Sequence, residues 1–492
     1  CDVLDTWFSS GLLPLSALGW PMKAFDCSTF YPLSVMETGQ DILFFWVARM
    51  AMLGIQLTGT LPFNKILLHG LICDSSGQKM SKSRGNTIDP LQLIEGVGKL
   101  KQHQIGSGIS SLGADALRAS LLATDFTKPA VAYSEESALD YRRFCNKVWQ
   151  SMQFLLSVLP REVPPETALT INTEGMWSRL RQPLLDCEET SLVDLWILYR
   201  LAQRSSQFNR TFSNLCSSKG EDISPSHSLH NCVSELRNWW TQEFCSVYLE
   251  VVKQRMRAPH SGGTSIASPD VLVNCFLCGL RLLHPITPHL SEVLWQSFPP
   301  QLPVPREPLL LQPYPEDILA SVHPDFEALS AFINGLLAAA SRVTNWRLTL
   351  GLNKSSKDSA GLLLLLQSQK TRSEDLINLR AQEMATREIT YALTSLRCID
   401  PRASFMTVPC GSDVHLHFDP QVVDFSAAEV SLDARLANQR KKAKAVEKKA
   451  ATNPQEGLSR SDSVKVSPHT NTSSLLSTVL RDVEGFSGSP RL

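Results

Sequence analysis

The sequence predicts an α/β domain, an all-α helical bundle behind it and a basic tail. The α/β prediction rests on residues 65–72, a continuous apolar run of strand length that is typical of a parallel strand covered on both faces. The bundle prediction rests on helical periodicity in successive segments after residue 133. The tail prediction rests on seven Lys and Arg residues between positions 435 and 449. We place the domains at residues 1–133, 134–340, 341–430 and 431–492, the third being a weakly defined α/β or helical region.

Composition limits the classes of function. At 492 residues the chain is long enough for about three domains. Its formal net charge of -1 gives no overall attraction to nucleic acid, so a polyanion must meet local basic patches. The twelve cysteines include one close pair, Cys275 and Cys278, with no second pair at zinc spacing, so we predict reduced core thiols and no metal site. The longest apolar run, residues 42–55, is interrupted by Arg49, and we predict no membrane partner.

The most informative segment is Lys-Met-Ser-Lys-Ser at residues 79–83, with Gly77 before it and Gly85-Asn86 after it. Lys79 and Lys82 place two ammonium groups three positions apart, and Arg84 adds a third positive charge. Glycines allow a positive φ and a close approach of the backbone, so such a loop is suited to closing over a polyphosphate. The alternative for a cluster of this kind is a solvated basic turn.

A second candidate segment, residues 37–50, is apolar after Thr-Gly and predicts a buried helix that opens near Gln40. Asp41 lies in its first turn, where it is either a carboxylate favoured by the helix dipole or a partner for an ammonium group. Ile42 and Trp46 are four positions apart and therefore share a helix face. With Trp7, which follows a predicted short strand, they would form an apolar slot suited to a small branched amino acid.

The His69-Gly70 pair follows the core of the predicted strand at residues 65–72. Nucleotide sites in open α/β sheets lie at the carboxyl ends of strands, although a lone histidine is more often structural. If His69 contacts a nucleotide, its role is positioning rather than proton transfer.

These motifs together resemble a known family. Residues 79–83 match the signature loop of the Rossmann-type (class I) aminoacyl-tRNA synthetases at all five positions, and Asp-Thr-Trp-Phe-Ser-Ser at 5–10 and Thr-Gly-Gln-Asp-Ile-Leu-Phe-Phe-Trp at 38–46 resemble the valyl-tRNA synthetase family. The resemblance implies the C-terminal half of a Rossmann-type catalytic domain. It also implies ATP-dependent activation of valine, ATP arriving with Mg²⁺, and transfer of the valyl group to tRNA(Val).

The resemblance also implies roles for individual residues. Lys79 and Lys82 would be catalytic and would stabilise the departing pyrophosphate. Gly39, His69, Gly70 and Lys82 would bind ATP. Trp7, Asp41, Ile42 and Trp46 would line the valine pocket, with Asp41 holding the α-ammonium group.

The rest of the chain predicts helices with loops. We expect them at residues 134–158, 191–212, 229–256, 270–283, 288–298 and 326–350, with a linker at 160–176. Residues 141–149 resemble the start of the family's anticodon-binding bundle. Trp239, Trp240, Phe244 and Tyr248 are candidates for stacking on RNA bases, but their helical spacing favours a core position. The segment 435–449 lacks sustained heptads, and residues from 452 onward predict disorder.

The chain begins with Cys1 rather than Met, so we expect an N-terminally truncated fragment. The His-x-Gly-His loop and the editing domain of the family would then lie upstream. A non-catalytic tRNA-binding fragment and an isoleucyl-tRNA synthetase are the alternative functions. We expect a cytoplasmic protein, with the mitochondrial matrix as the alternative.

Overall fold

The computed structural model describes most of the first 349 residues and four short strands after them. The described residues are 3–22, 25–74, 77–81, 84–96, 111–162, 173–187, 190–216, 228–257, 269–300, 304–349, 362–366, 397–398, 406–409 and 414–418. They form two compact units, Cys1–Ser330 and Ala331–Leu492.

The chain opens with short helices where the sequence predicted a strand. They are α1 (Thr6–Gly11), α2 (Leu13–Ser16) and α3 (Phe25–Phe30). The strand prediction is wrong because Asp5 caps α1: the Trp7 amide donates to the Asp5 carboxylate at 2.9 Å, which satisfies a donor that a helix start leaves free.

Two pairs of parallel strands follow. β1 (Met36–Gly39) pairs with β2 (Ile66–His69), and β3 (Leu71–Cys73) pairs with β4 (Ala130–Ala132). The predicted single strand at residues 65–72 is therefore two strands with different partners. They separate at Gly70, where a Cβ atom would lie 1.8 Å from the Lys128 carbonyl oxygen, so only glycine fits.

The faces of β2 differ from the prediction as well. Ile66 is 40% exposed and Leu68 44% exposed, so β2 is not covered on both faces by the described residues. The parallel pairing that the apolar run predicted is present, but the predicted burial of β2 on both faces is not found among the described residues.

The helix after β1 begins at Gln40, as predicted, but is not α-helical at first. A 3₁₀ turn at Gln40–Ile42 leads into a π-helical segment, Leu43–Ala48, and only then into α4 (Arg49–Thr58). The wider π turn changes which side chains share a face, so the four-residue spacing of Ile42 and Trp46 does not carry the meaning it has in an α-helix. Val47 and Met50 pack with Met36 and Phe63 in a small core.

The whole helix Gln40–Thr58 has 19 residues, and an 18-residue window of it has a mean hydropathy of 1.3, with 17% of that window buried. By length and composition this helix is apolar enough to cross a bilayer, so the interruption by Arg49 does not by itself exclude a membrane span. One such helix is weak support for a membrane span. The absence of a membrane partner stays a prediction.

Two helices lie between β3 and β4 along the chain: α5 (Pro90–Glu95) and α6 (Ala114–Leu122). The irregular insert predicted at residues 96–113 lies mostly outside the described residues. Asp115 on α6 is buried, and its carboxylate accepts hydrogen bonds from the amides of Leu290 (2.6 Å) and His289 (3.4 Å). It therefore caps the first turn of a bundle helix from a neighbouring helix.

The bundle contains the predicted helices and one that the sequence assigned to a linker. The helices are α7 (Glu135–Glu162), α8 (Thr173–Arg181), α9 (Leu192–Cys216), α10 (Leu229–Asn238), α11 (Leu249–Arg257), α12 (Pro269–Leu283), α13 (Pro288–Gln296) and α14 (Asp325–Thr349). A π-helical segment, Trp239–Tyr248, joins α10 to α11. The linker prediction for residues 160–176 is wrong at both ends, where α7 and α8 extend into it.

The aromatic residues of the π-helical segment form the centre of the bundle. Trp239, Trp240, Phe244 and Tyr248 are fully buried, which agrees with a core position and removes them as exposed stacking residues. Gly279 on α12 makes this packing possible, since a Cβ atom there would lie 2.8 Å from the Trp240 ring. Cys275 and Cys278 lie buried on the same helix as free thiols, and burial raises the pKa of Cys278 to about 12.

The second unit holds the end of α14 and a four-stranded sheet. Its strands are β5 (Leu362–Leu366), β6 (Arg397–Cys398), β7 (Met406–Pro409) and β8 (Val414–Phe418), in the order β6-β5-β8-β7. β5 is parallel to β6 and antiparallel to β8. The basic segment at 435–449 and the tail from 452 onward lie outside the described residues.

Candidate functional site

The lysine loop follows β3 directly and is anchored at its base. Cys73 at the end of β3 bridges to Lys79 in an antiparallel pair, and Gly77 turns the chain with a φ of 77°. The Asn86 side chain then holds the far side of the loop. Its Oδ1 accepts from the Ser81 amide at 2.9 Å, and its Nδ2 donates to Asp74 at 2.8 Å. Gly85 supplies a second positive φ, 68°, just before this residue.

Lys79 of this loop binds Asp41 from the segment after β1. Its Nζ lies 2.9 Å from Asp41 Oδ2, and the side chains are 59% and 37% exposed. The hydrogen bond from Lys79 is the main cause of a lowered Asp41 pKa; the charge of Lys79 acts in the same direction and burial acts against both. Asp41 is therefore an ionised carboxylate that already accepts an ammonium group.

Lys82 and Ser83 lie outside the described residues, so the structure does not describe the second lysine of the motif. Among the other cations of the loop, Arg84 donates to the Gln78 side chain at 3.4 Å.

Gly39 sets the position of the Asp41 carboxylate. It is buried at the end of β1, and a Cβ atom at this residue would lie 2.7 Å from Asp41 Oδ1 and 3.7 Å from His69 Cε1. Gly39 pairs with His69 across the two parallel strands. The strand ends therefore bring Gly39, Asp41 and His69 together, as the carboxyl-end rule predicts.

His69 has a partner at each ring nitrogen. Nδ1 lies 2.9 Å from the Gly70 carbonyl oxygen, and Nε2 lies 3.1 Å from the Glu37 carboxylate. Its ring also meets Phe126 edge-on at 6.2 Å. A histidine held in this way is suited to positioning rather than to proton transfer, and Glu37 is a partner that sequence analysis did not identify.

Helix α1 and the π-helical segment form the aromatic side of the site. Trp7 stacks on Phe45 at a centroid distance of 6.1 Å, with the Arg49 guanidinium 5.7 Å from its ring. Trp46 donates from Nε1 to the Ser10 carbonyl at 2.9 Å and packs on the small core around Met50. Trp7 thus belongs to α1 and contacts the π-helical segment through Phe45, whereas Trp46 is held against α1 through Ser10.

Phe45 is the residue that sequence analysis missed on this side. It is 49% exposed, and its ring stacks on Trp7. The slot predicted from the sequence did not include it. Ile42 lies half-buried at the junction between the 3₁₀ turn and the π-helical segment. Phe45 lies in the π-helical segment, and no period read along the sequence indicates a π turn.

This arrangement suits a charged, partly apolar ligand. An ionised carboxylate at a strand end can hold an ammonium group, aromatic side chains lie nearby, and a lysine-bearing loop with glycine turns closes over the same strand end. We find no cluster of three or more metal-ligating side chains among the residues that the structure describes.

Comparisons with known families match two parts of the chain. Residues 1–131 match a family model described as tRNA synthetases class I (I, L, M and V). Residues 220–360 match one described as the anticodon-binding domain of tRNA ligase. The two matches fall on the strand-containing part and on the later helices.

Individual proteins show the same similarity. The chain is 39% identical over 338 residues to the mitochondrial valine--tRNA ligase of Mus musculus, covering 64% of this chain and 29% of that protein. It is 38% identical over 337 residues to a valine--tRNA ligase of Homo sapiens, covering 64% of this chain and 24% of that protein. It thus spans less than a third of either relative.

A similarity to solved structures is weaker. A ternary complex of Agrobacterium radiobacter K84 agnB2 LeuRS with tRNA and LeuAMS aligns at a TM-score of 0.44 and 19% identity, covering 65% of this chain and 34% of that one.

Proposed function

Because the chain belongs to the class I aminoacyl-tRNA synthetases, we propose that it carries part of the site at which valine reacts with ATP. The product would be valyl-adenylate, and the valyl group would then pass to tRNA(Val). The observation that carries this proposal is the meeting of the lysine loop with Asp41 at the carboxyl end of β1.

In the proposed reaction a carboxylate oxygen of valine attacks the α-phosphorus of ATP, and pyrophosphate leaves. Asp41 holds the α-ammonium group, so the attacking carboxylate is held in a fixed place. Lys79 and Lys82 neutralise the charge that builds on the departing pyrophosphate. His69, Gly70 and Gly39 border the adenosine. Mg²⁺ would arrive on the phosphates of ATP, and we assign it no protein ligand.

The aromatic side selects the amino-acid side chain in this proposal. Trp7, Ile42 and Trp46 limit the length of the pocket, and the Trp7–Phe45 stack closes one side. A pocket of this kind favours a small branched side chain over a larger one. Valine rather than isoleucine is supported by the similarity to valine--tRNA ligases.

The helices would bind the tRNA. On α7, Arg142 and Arg143 are exposed and Trp149 is 38% exposed, so cations and an aromatic ring face away from the core. Phosphates and unpaired bases are the groups that such side chains bind. We propose a cytoplasmic location, with the mitochondrial matrix as the alternative.

The test is amino-acid-dependent pyrophosphate exchange by the complete gene product. We expect exchange with valine and far less with isoleucine. Asp41→Asn should raise the KM for valine because the amide cannot neutralise the ammonium group. Asp89→Asn is the matched control: Asp89 is also an aspartate at a helix start, where it accepts from Leu91 N at 2.9 Å, but it lies outside the site.

Two outcomes would decide against parts of the proposal. If valine activation kept its wild-type KM in Asp41→Asn, Asp41 would be a carboxylate at a helix start and nothing more. If no amino acid supported exchange while tRNA still bound, the alternative of a non-catalytic tRNA-binding protein would stand.

A further inference from the structure

The contact between Lys79 and Asp41 places an ammonium group of the chain on the carboxylate assigned to the substrate's ammonium. Lys79 Nζ and the α-amino group of an amino acid are the same functional group, a primary ammonium on a carbon chain. The structure therefore shows this carboxylate binding the type of cation that the reaction would bring to it.

We propose that Lys79 and the amino-acid substrate compete for Asp41, so that binding of the substrate's ammonium group releases Lys79 toward the ATP phosphates. The inference rests on the proposed function, since it takes Asp41 to be the ammonium site. It adds a role for Lys79 before the chemical step, in setting the affinity for the amino acid.

The surroundings of Asp41 favour exchange of one ammonium group for another over binding of both. Oδ1 faces Gly39, where even a Cβ atom would lie at 2.7 Å, and Oδ2 carries Lys79. A second ammonium group on the same carboxylate would bring two like charges within a few ångströms, which disfavours the double occupancy.

The contact is weak enough to be displaced. Both side chains are more than a third exposed, and an exposed ion pair contributes little because water and salt screen it. The amino acid can bind only while Asp41 is free of Lys79. Its apparent affinity is therefore its intrinsic affinity multiplied by the fraction of molecules in which Lys79 does not occupy Asp41. For a pair of this strength the reduction is roughly two- to sixfold.

The anchoring of the loop allows Lys79 to move without unfolding the loop. The base is held through Asn86, which binds the Ser81 amide and Asp74, and the Gln78 amide donates to Asp74 at 2.9 Å. The Lys79 backbone belongs to this base, since its carbonyl oxygen accepts from Asn86 Nδ2 at 3.4 Å, whereas its side chain is 59% exposed. Release of Asp41 therefore frees the lysine side chain while the base stays in place.

The first test is the dissociation constant of valine, measured by equilibrium dialysis without ATP on the complete gene product. Lys79→Ala should tighten valine binding roughly two- to sixfold, because the competitor is gone, and should also slow pyrophosphate exchange. Arg84→Ala is the control: it removes a loop cation whose contact is Gln78 and not Asp41, so the valine constant should not change.

A second test uses ligands that separate the two ends of valine. A lysine amine released from a carboxylate is acetylated faster, so the rate of acetylation of Lys79 relative to that of exposed Lys128, measured by mass spectrometry, reports how free the Lys79 side chain is. Valine and isobutylamine, which carry an ammonium group, should accelerate this acetylation. 3-Methylbutanoate, which is valine without its amino group, should not.

The outcomes separate this inference from the proposed function. Unchanged or weaker valine binding in Lys79→Ala, with normal exchange in the wild type, would overturn the competition and leave the function intact. Equal acceleration by 3-methylbutanoate would overturn it as well. A wild-type protein that neither binds valine nor catalyses valine-dependent exchange would instead overturn the function on which the inference rests.

Discussion

Asp41 depends on the residue two positions before it. Gly39 leaves room for the carboxylate, and its φ of -71° is open to any residue, so its importance is one of space and not of backbone conformation. The nearest atom to an added methyl group is the end of the Asp41 side chain. A substitution here would therefore move the carboxylate and leave the strand in place.

We expect Gly39→Ala to lower the affinity for valine while costing little stability, because the carboxylate can rotate away at small energetic cost. Isothermal titration with valine and a thermal melt measure the two effects. Gly335→Ala is the control, because Gly335 lies on α14 with open space around it. This variant should leave valine binding unchanged and should raise stability slightly through the higher helix propensity of alanine. A Gly39→Ala protein with wild-type affinity would show that Asp41 does not bind the substrate from this position.

Lys82→Ala should lower the rate of adenylate formation strongly and leave tRNA affinity nearly unchanged, since its charge acts on the pyrophosphate. Loss of one such electrostatic donor costs about 10² to 10³ in rate. Pyrophosphate exchange and a tRNA filter-binding assay measure the two quantities. Unchanged exchange would contradict the role that the family resemblance gives this lysine.

At the scale of helices and strands, local patterns predicted some elements well and others poorly. α9, α12 and α13 were predictable because they are long or periodic, and Pro288 fixes the start of α13. α8 was missed because residues 160–176 are rich in Pro, Thr and Glu, and it forms through packing of Met176 and Trp177 in the core.

The candidate site was predictable in its residues and not in its geometry. The motif identified Lys79, the strand-end rule indicated His69, and the family resemblance gave roles to Gly39 and Asp41. The strand β1, which brings Gly39 and Asp41 to His69, was not predicted. The π-helical segment Leu43–Ala48, the pairing of Glu37 with His69 and the division of the strand at Gly70 depend on contacts with distant residues. No periodicity within one segment reports such contacts.

The capping of α13 by Asp115 is an element-scale contact that can be tested through stability. We expect Asp115→Ala to reduce the free energy of unfolding by about 1–3 kcal/mol, because the Leu290 and His289 amides lose a buried, charged acceptor. Chemical denaturation followed by circular dichroism measures it.

Asp140→Ala is the matched control for this prediction. It removes a carboxylate from an exposed pair with Arg143, three positions along α7, where the contribution is about 0.5 kcal/mol or less. Equal losses in the two variants would mean that Asp115 does not act as a cap.

At the scale of the whole molecule, the two parts of the first unit differ in how completely they bury their apolar residues. The bundle has a dense core in which Trp196, Trp240 and Phe276 are fully buried. Around the candidate site, by contrast, Phe44 is 74% exposed and Met52 70% exposed. The bundle is thus self-sufficient in its core, while the strand-containing part presents an apolar surface.

This difference leads to a prediction for the 492-residue chain itself. We expect no measurable valine-dependent pyrophosphate exchange. Among the described residues, β1 and β2 form only a two-stranded sheet, and Ile66 and Leu68 on β2 are exposed. A sheet of this size is too small to hold ATP in a fixed geometry. The bundle has its own core and should still bind tRNA. Since phosphate contacts dominate such binding, affinity should fall by roughly a thousandfold between 50 and 200 mM salt if about six phosphates are contacted.

Filter binding at several salt concentrations, together with exchange assays on the same preparation, measures both parts. Arg142→Ala, which removes one exposed cation of α7, should reduce the slope of log affinity against log salt by about 1 if that residue contacts a phosphate. Asp140→Ala, which removes a neighbouring negative charge, should not reduce the slope. Robust valine-dependent exchange by the purified chain would contradict the prediction, because it would show that the surface around β2 needs no further covering to hold ATP and valine in reactive geometry.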